Sequence, residues 1–344
     1  MVGEIGDLNR LVLHPSFNET IDEINKLGIC IPSHPIAEEM DFNSYLFPPQ
    51  NGKLVTNIEE PRSFDLDAGG GQDLLKEGIP ICAYDESMSK FSSLEGTAFV
   101  VSHSLVIHRK DDYVPSCYLT LNFYTRSKTF TENSKLLKYS DNPEQSSKLD
   151  YVRDRTELLL RSAPSNSIVF IDGVLIGGQL SSYTIRMNEE LLRRNIIPIF
   201  FVKNSASNLV TDHIDGLVGR YNSDMHWAYT SLKPGQRTSF FQYQDARNTA
   251  NAKLFCYLKA FEISPQRVEF HVSTFKKYGK KMSALMDLAY YLMLVQGDLS
   301  NPQIRPIAVA EKYARETLRL VDLDKLMRRL GITSTVNQER FGWS

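Results

Sequence analysis

Two short apolar runs separated by a helical stretch form the most regular pattern in the chain. Residues 168–171 read IVFI, which is typical of a strand buried on both faces, and the run ends at Asp172. A predicted helix over 183–194 follows, and a second apolar run over 196–202 ends at Lys203. This order predicts a β-α-β unit with parallel strands and a right-handed crossover. Asp172 and Lys203 then lie beyond the carboxyl ends of the strands, where chemistry gathers in such sheets.

Three further strands are predicted upstream of this unit. Residues 79–84 form an apolar run that ends at the acidic pair Asp85-Glu86. The runs 97–108 and 116–125 follow, and the second alternates apolar and polar residues with the period of a half-buried strand. Short connections join all three runs, so we expect an antiparallel meander.

A helix is predicted between the meander and the β-α-β unit, over residues 143–161, with a proline in its first turn. Asp150, Asp154 and Glu157 are spaced at i, i+4 and i+7, so they share one helical face. Taken alone, this stripe is more typical of a solvated acidic face interleaved with arginines than of a catalytic group. Asp172 alone is equally typical of a turn residue in an Asp-Gly loop.

The C-terminal part of the chain continues with alternating strands and helices. Strands are predicted over 252–260 and 267–272, and helices over 283–296, 307–320 and 322–330. The last helix stops before Gly331, a residue typical of helix C-termini.

The first part of the chain is the least regular. Residues 1–77 contain scattered prolines, and only a short helix over 17–26 is predicted. The segment DLDAGGGQD, residues 65–73, has three consecutive glycines but lacks the Gly-Lys-Ser/Thr of a phosphate-binding loop, so it is interpreted as a flexible connector. The predicted organisation is an irregular extension over 1–77 and one domain over 78–344.

Composition narrows the class of protein. Hydrophobic residues make up 42% of the chain and charged residues 23%, as in ordinary soluble proteins. No secretion signal or long apolar run is recognisable, so we expect a cytoplasmic protein. The four cysteines are isolated in sequence, which argues against a zinc knuckle or a disulfide framework. A net charge of -2 means that nucleic acid would have to bind to a localised basic patch.

The order of the elements suggests where acidic residues meet. An antiparallel meander followed by parallel strands linked through helices is the connectivity of an RNase H-like core. In that α/β fold, a mixed sheet flanked by helices, the first and fourth strands are neighbours, and Asp85, Glu157 and Asp172 would converge. Carboxylates that converge repel one another unless cations neutralise them, which implies divalent metal. Two Mg²⁺ or Mn²⁺ ions about 4 Å apart activate water and stabilise a leaving oxygen in phosphodiester hydrolysis.

From residue 78 to the C-terminus the chain resembles the NurA nucleases, which are similar in core to RNase H and the Piwi domain. The resemblance rests on these segments: ICAYDES, RTELLLRSA, IVFIDGVLIGG, FFVKNSASNLV, RVEFHV and RPIAVAEKYARETL. It implies that Asp85, Glu157 and Asp172 bind metal and that Lys203 matches the lysine of the next motif. Asp154 is a substitute for Glu157, because the link from helix to strand is shorter than is usual in the family.

One segment departs from the pattern of the family. Members of the family commonly carry a tyrosine and a histidine in a motif resembling YPxPLxxAH, whereas QIRPIAVAE places Gln303 and Glu311 at those positions. Glu311 is therefore either a fourth carboxylate of the catalytic site or the mark of a weakened one.

Basic residues occur in small groups along the chain. The KKYGKK cluster, with Lys276, Lys277, Lys280 and Lys281, combines charge with aromatic rings, as single-strand channels do. Together with Arg153 it is predicted to bind DNA, although a solvated loop is an equally good interpretation.

The resemblance implies a metal-dependent nuclease that degrades DNA ends with a HerA-like hexameric ATPase, in end processing or in defence against foreign DNA. A closed homodimer is expected, because two copies of the basic groups around one channel would compensate for the low net charge. Two alternatives remain open: a catalytically weak adaptor of the ATPase, and a stand-alone RNase H-like nuclease.

Overall fold

The structure, a computed structural model, describes residues 11–26, 53–60, 62–109, 112–132, 134–203, 205–214, 217–245 and 248–332. Its strands are β1 (Leu11–Leu13), β2 (Lys53–Asn57), β3 (Ser63–Asp65), β4 (Ile81–Ser92), β5 (Thr97–Arg109), β6 (Asp112–Thr125), β7 (Leu137–Tyr139), β8 (Ile168–Asp172), β9 (Ile197–Val202), β10 (Gln236–Thr238), β11 (Phe241–Asp245), β12 (Ala252–Lys259) and β13 (Gln266–His271). Its α-helices are α1 (Ser16–Asn25), α2 (Ala68–Lys76), α3 (Lys128–Glu132), α4 (Pro143–Ser162), α5 (Ser181–Arg193), α6 (Asp224–Ser231), α7 (Val272–Tyr278), α8 (Met282–Gln296), α9 (Arg305–Leu318) and α10 (Leu323–Arg329). None of these helices combines the length and the apolar character that a membrane span needs.

All the described strands belong to one mixed sheet, with the path β1-β6-β5-β4-β8-β9-β13-β12-β10-β3. Strand β7 adds to β6, and β11 lies between β12 and β2. The meander β4-β5-β6 is antiparallel, and β8 is parallel to both β4 and β9. This confirms the predicted mixed sheet in which the first strand of the meander neighbours the first strand of the β-α-β unit.

Alternating side chains of the central strands pack against two layers of helices. Ile81, Ala83 and Phe170 pack into a core with α8 and α9, on what we call the first face of the sheet. Cys82 and Tyr84 pack into a separate core with α4 and α5, on the second face. Because side chains alternate with a period of two along a strand, every residue near the strand ends can be assigned to a face.

The first strand of the meander is longer than its sequence predicts. It continues through the acidic pair to Ser92 and pairs with β5 up to Ser92↔Thr97, so Asp85 and Glu86 lie inside the strand. The parallel pairing with β8 ends at Tyr84↔Ile171, just before the acidic pair. The acidic pair therefore lies beside the end of β8, whereas its own strand, β4, continues.

The glycine-rich segment that the sequence suggested as a connector forms α2. Asp67 caps the helix by accepting a hydrogen bond from Gly69 N at 2.9 Å. A Cβ on Gly71 would lie 2.2 Å from the Asp287 carbonyl oxygen of α8, so the glycine allows two helices to touch along their backbones. The interpretation as a connector was wrong because tertiary contact with α8 compensates for the low helix propensity of glycine.

Other described parts of the N-terminal segment also join the sheet. β2 pairs with β11 and β3 pairs with β10, both in antiparallel fashion. β1 pairs with β6 in parallel, and α1 contributes Phe17 and Ile24 to the core beneath the meander. One continuous sheet therefore crosses the predicted boundary at residue 78.

Candidate active site

Two aspartates lie side by side where β4 and β8 stop pairing. The register Tyr84↔Ile171 places Asp85 beside Asp172 on neighbouring parallel strands. Asp85 follows Ile81 and Ala83, and Asp172 follows Ile168 and Phe170, in the period-two pattern, so both carboxylates point to the first face. Asp85 is only 7% exposed. Two carboxylates thus share one largely buried cleft.

A lysine from the next strand and a glutamate from α9 complete this cleft. Lys203 Nζ lies 2.5 Å from Asp172 Oδ2 and 3.4 Å from Glu311 Oε2. Gln303 Nε2 donates to Glu311 Oε2 at 3.0 Å, and Arg315 forms an ion pair with Glu311 Oε1. Gln303 and Glu311, the two residues that differ from the family motif, are therefore hydrogen-bonded to each other. Glu311 also contacts Lys203, which follows β9.

The charges of the cleft shift one another's proton affinities. Burial and the neighbouring charges of Asp172 and Glu86 raise the pKa of Asp85 to about 8. Burial also raises the pKa of Asp172, although Lys203 opposes the shift. Burial alone would lower the pKa of Lys203, but the charges of Asp172, Asp85 and Glu311 outweigh it and raise that pKa. A proton on Asp85 therefore relieves part of the repulsion among the carboxyl groups around Lys203 at neutral pH.

The oxygen donors of the cleft suit a hard divalent cation. Mg²⁺ and Mn²⁺ prefer carboxylate and water ligands, and Mg²⁺ often uses only one or two protein carboxylates, with water and substrate phosphates filling the other positions. Asp85 and Asp172 meet that requirement, and the ammonium of Lys203 shows that a cation is stable beside them. Within the part of the chain that the structure describes, no group of three or more His, Cys, Asp or Glu side chains has the arrangement of a metal centre.

The acidic stripe of α4 does not reach this cleft, because α4 covers the second face of the sheet. Glu157 is half-exposed, with Oε2 4.0 Å from His14 Nε2. Asp154 Oδ2 lies 4.0 Å from the buried His103 Nε2, and burial raises the pKa of Asp154 to about 6. The structure therefore brings together Asp85, Asp172, Lys203 and Glu311 but leaves Glu157 and its substitute outside.

The side chains of α4 that point toward the acidic pair are Tyr151 and Arg155. Tyr151 OH donates to Glu86 Oε1 at 2.9 Å, and Arg155 Nη1 donates to Tyr151 OH at 3.4 Å. Burial raises the pKa of Glu86, although Arg155 opposes the shift. Sequence reasoning missed this group, although the i, i+4 spacing of Tyr151 and Arg155 indicated a shared face.

A substitution in α4 tests whether Glu157 belongs to the metal site, as the sequence predicts. If the cleft is the metal-dependent nuclease site that the sequence predicts, we expect Glu157→Gln to leave DNA cleavage and Mn²⁺ affinity within about twofold of wild type, because its half-exposed carboxylate lies on the opposite face of the sheet. Cleavage assays and Mn²⁺ titrations of the purified variant measure this, with Glu144→Gln on the same helix as the control. A loss of tenfold or more would return Glu157 to the metal site.

The predicted DNA-binding lysines lie far from the cleft. α7 follows β13, which is antiparallel to β9, so the cluster begins at the opposite end of the parallel strands. Lys277 Nζ donates to Leu192 O at 2.7 Å and to Asn195 Oδ1 at 2.8 Å, just before β9 starts. Eight residues of extended chain separate Asn195 from Lys203, about 25 Å. Arg153 is exposed and pairs with Asp150 at 3.6 Å.

Other basic side chains lie next to the cleft. A cavity of about 290 Å³ opens between α9 and the loop before it, and Glu311 and Gln303 form part of its wall. Its remaining lining residues are Gln296, Asp298, Asn301, Ala308, Lys312, Arg315, Glu316 and Arg319. Three cations on one side of α9 therefore border a cavity that shares Glu311 with the acidic cleft. They were not predicted, because in sequence they are typical of an ordinary solvated helix face.

Comparison with known proteins identifies related sequences and folds. A family model described as the NurA domain matches residues 88–328. The matched region begins three residues after Asp85. The crystal structure of the NurA nuclease from Sulfolobus solfataricus is similar, with 11% identity, 79% of this chain and 86% of that chain covered, and a TM-score of 0.51. No curated protein sequence matches the chain.

More distant structural similarities also appear. A NurA bound to dAMP and manganese is 8% identical, with 73% of this chain and 88% of that chain covered and a TM-score of 0.40. Endonuclease V of Ciona intestinalis, in complex with inosine-containing DNA, is 12% identical, with 71% and 87% covered and a TM-score of 0.37. At these low TM-scores the two similarities support no conclusion, whereas the family model covers well over half of the chain.

Proposed function

Because this chain belongs to the NurA family, we propose that it is a nuclease that hydrolyses phosphodiester bonds at DNA ends with a divalent metal cofactor, Mn²⁺ or Mg²⁺. The observation that carries the proposal is the pair Asp85 and Asp172, which lie side by side on one face with Lys203 at hydrogen-bonding distance. Paired carboxylates next to a lysine are suited to binding a metal and a phosphate together.

Each residue of the cleft has a role in this proposal. Asp85 and Asp172 would hold the metal, which would supply an activated water and stabilise the leaving oxygen. Lys203 exchanges its ion pair with Asp172 for the scissile phosphate, and Glu311 keeps the ammonium oriented during that exchange. A second ion would use Glu311 as its protein ligand. Because the pKa of Asp85 is raised to about 8, the metal would have to displace a proton from this carboxyl group at neutral pH, so metal affinity should increase as pH rises.

The substrate strand is proposed to approach along α9. Lys312, Arg315 and Arg319 border the cavity beside Glu311, so phosphates that run along this helix lead into the cleft. The KKYGKK cluster lies about 25 Å away at the opposite end of the parallel strands. That cluster would therefore contact only DNA that wraps around the protein.

The proposed cellular role follows the family: processing of DNA ends or defence against foreign DNA, in the cytoplasm, with a HerA-like hexameric ATPase. A net charge of -2 supports the need for such a partner, since few phosphate contacts release few counterions. A ring-shaped translocase or a homodimer would raise the local concentration of DNA at the cleft.

Cleavage of labelled DNA tests the nuclease directly. End-labelled single- and double-stranded DNA is incubated with the purified protein and Mn²⁺, Mg²⁺ or EDTA, with and without the ATPase. We expect products only with metal, and more of them with the partner and ATP. Metal-independent cleavage, or none under any condition, would contradict the proposal.

A weak adaptor of the ATPase is the second candidate, favoured because no group of three or more His, Cys, Asp or Glu side chains among the described residues is arranged to hold a metal ion. Glu311→Ala distinguishes the two candidates. In a nuclease that uses Glu311, cleavage falls by about tenfold or more while binding of the partner is unchanged. In an adaptor, the wild type and the variant are equally inactive and bind the partner equally.

Assembly gives a further expected result. We expect a dimer by light scattering, weak DNA binding by the protein alone, and cleavage stimulated about tenfold or more by the ATPase with ATP, because the partner supplies the missing contacts. The control is the ATPase with a non-hydrolysable ATP analogue. A monomer that degrades DNA equally well with and without the partner would refute this part of the proposal.

A further inference from the structure

A fully buried ionic cluster lies behind the cleft, on β12 and β13. Glu269 is 0% exposed, and its Oε1 accepts hydrogen bonds from Lys253 Nζ at 2.5 Å and Arg267 Nε at 2.8 Å. Lys253 and Arg267 are themselves almost completely buried. Replacing such a cluster by apolar side chains is often neutral or stabilising, so its presence calls for a role other than stability.

The cluster reaches the loop that follows Asp172. Glu269 Oε2 accepts a hydrogen bond from the backbone N–H of Leu175 at 2.9 Å. Leu175 is the third residue after Asp172, and the intervening Gly173 has a φ of +118°, which lets the chain turn sharply out of β8. The carboxylate of Glu269 therefore sets the path of the backbone that leaves the catalytic aspartate.

The same cluster reaches the loop that follows Lys203. Arg267 Nη1 donates to Ser205 Oγ at 2.8 Å and to Ser207 Oγ at 2.5 Å. Ser205 lies two residues after Lys203, and Ser205 Oγ donates to Ser207 Oγ at 2.9 Å. Because Glu269 orients Arg267 through Nε, one buried carboxylate connects the two loops that carry Asp172 and Lys203.

We propose that Glu269 is a positioning residue, which acts directly on the loop of Asp172 and through Arg267 on the loop of Lys203. Locking the two loops together holds Asp172 and Lys203 at the separation that metal and phosphate require. Residues that orient metal ligands in this way typically change metal affinity by about 10- to 100-fold when they are replaced. The predicted effect on metal and phosphate binding rests on the proposed nuclease activity. The connection of the two loops by Glu269 and Arg267, which we call the loop clamp, does not rest on it.

Two variants test the clamp. Glu269→Gln keeps the size and one acceptor oxygen but removes the charge that orients Arg267. The double variant Ser205→Ala with Ser207→Ala removes the two loop hydroxyl groups that Arg267 contacts and leaves the buried cluster intact. It therefore tests the clamp even if Glu269→Gln does not fold. The matched control is Ser140→Ala with Ser146→Ala, another pair of hydroxyls bonded to each other at 2.8 Å but outside the cleft.

The first readout uses neither metal nor DNA. We expect amide hydrogen exchange in the loops after Asp172 and Lys203 to accelerate about tenfold or more in the test variants and to remain unchanged in the control. The second readout is Mn²⁺ affinity by electron paramagnetic resonance, expected to weaken about tenfold, with kcat reduced and KM for DNA within twofold.

The outcomes distinguish a failure of the positioning role from a failure of the proposed nuclease function. Unchanged exchange in a folded variant, or faster exchange with wild-type Mn²⁺ affinity and kcat, overturns the positioning role. If exchange accelerates but the wild-type protein itself neither binds Mn²⁺ nor cleaves DNA, the clamp stands as a structural device and the proposed nuclease function fails.

Discussion

Asp172→Asn is expected to reduce metal-dependent DNA cleavage by about a thousandfold or more. The amide keeps the size of the side chain but removes the charge that pairs with Lys203 Nζ at 2.5 Å and that we propose to bind the cation. Loss of several kcal/mol of transition-state stabilisation corresponds to a rate change of that order. Single-turnover cleavage of end-labelled DNA with saturating Mn²⁺ measures it, together with the Mn²⁺ affinity of the free protein.

The control for this variant is Asp73→Asn, an exposed aspartate on α2 that pairs with Lys76. It should cleave DNA like wild type, and both variants should have the circular dichroism spectrum of the wild type. Full activity of Asp172→Asn, with contaminating nuclease excluded, would place the active site elsewhere in the molecule.

Asp85→Asn is expected to inactivate the enzyme and yet stabilise the metal-free protein at neutral pH. Burial and nearby negative charge raise the pKa of Asp85 to about 8, whereas an unfolded chain would ionise this group near 3.9. Between these two values the folded state binds more protons than the unfolded state, so the free energy of unfolding falls as pH rises. Asparagine does not ionise, so this decrease in the free energy of unfolding with rising pH is absent from Asp85→Asn.

The magnitude follows from the width of the pH window. At up to about 1.36 kcal/mol per pH unit, wild type loses as much as about 4 kcal/mol relative to Asp85→Asn between pH 5 and pH 8. Urea unfolding in EDTA at several pH values measures the difference. Adding Mn²⁺ should reverse the order, because only wild type retains both ligands. Parallel stability curves for the two proteins would show that Asp85 is an ordinary ionised carboxylate.

The centre of the fold was predictable from sequence because its patterns are local. The apolar runs of β8 and β9 and the alternation in β6 identified strands, and the elements between them identified the crossover helix. The strands β2, β3, β10 and β11 were missed, because each is three to five residues long and exists through pairing with another edge strand. Helix α2 was missed because its glycines favour other conformations in the absence of α8.

The candidate site was predictable as far as strand order determines it. Asp172 and Lys203 meet because they lie at the same end of the neighbouring strands β8 and β9, and Asp85 joins them because β4 pairs with β8 up to the preceding residue. The position of Glu157 depends on the rotation of α4 about its axis and on the face that α4 covers, and spacing alone specifies neither. The bonds of Glu269 to Leu175 and to Lys253 join residues distant in sequence, so no local pattern indicates them.

The backbone contact between Gly71 and α8 has a practical consequence for anyone who shortens this chain. A truncated protein that begins at residue 78 would lack α2, leaving apolar side chains of α8 such as Leu288 without their cover. It would also lack β2 and β3, so β10 and β11 would present unpaired backbone groups to other molecules. Such open edges promote aggregation. A truncation that starts at residue 53 retains both features but removes β1 and α1, including Phe17 and Ile24 of the core beneath the meander, so a shortened protein should also keep residues 11–26.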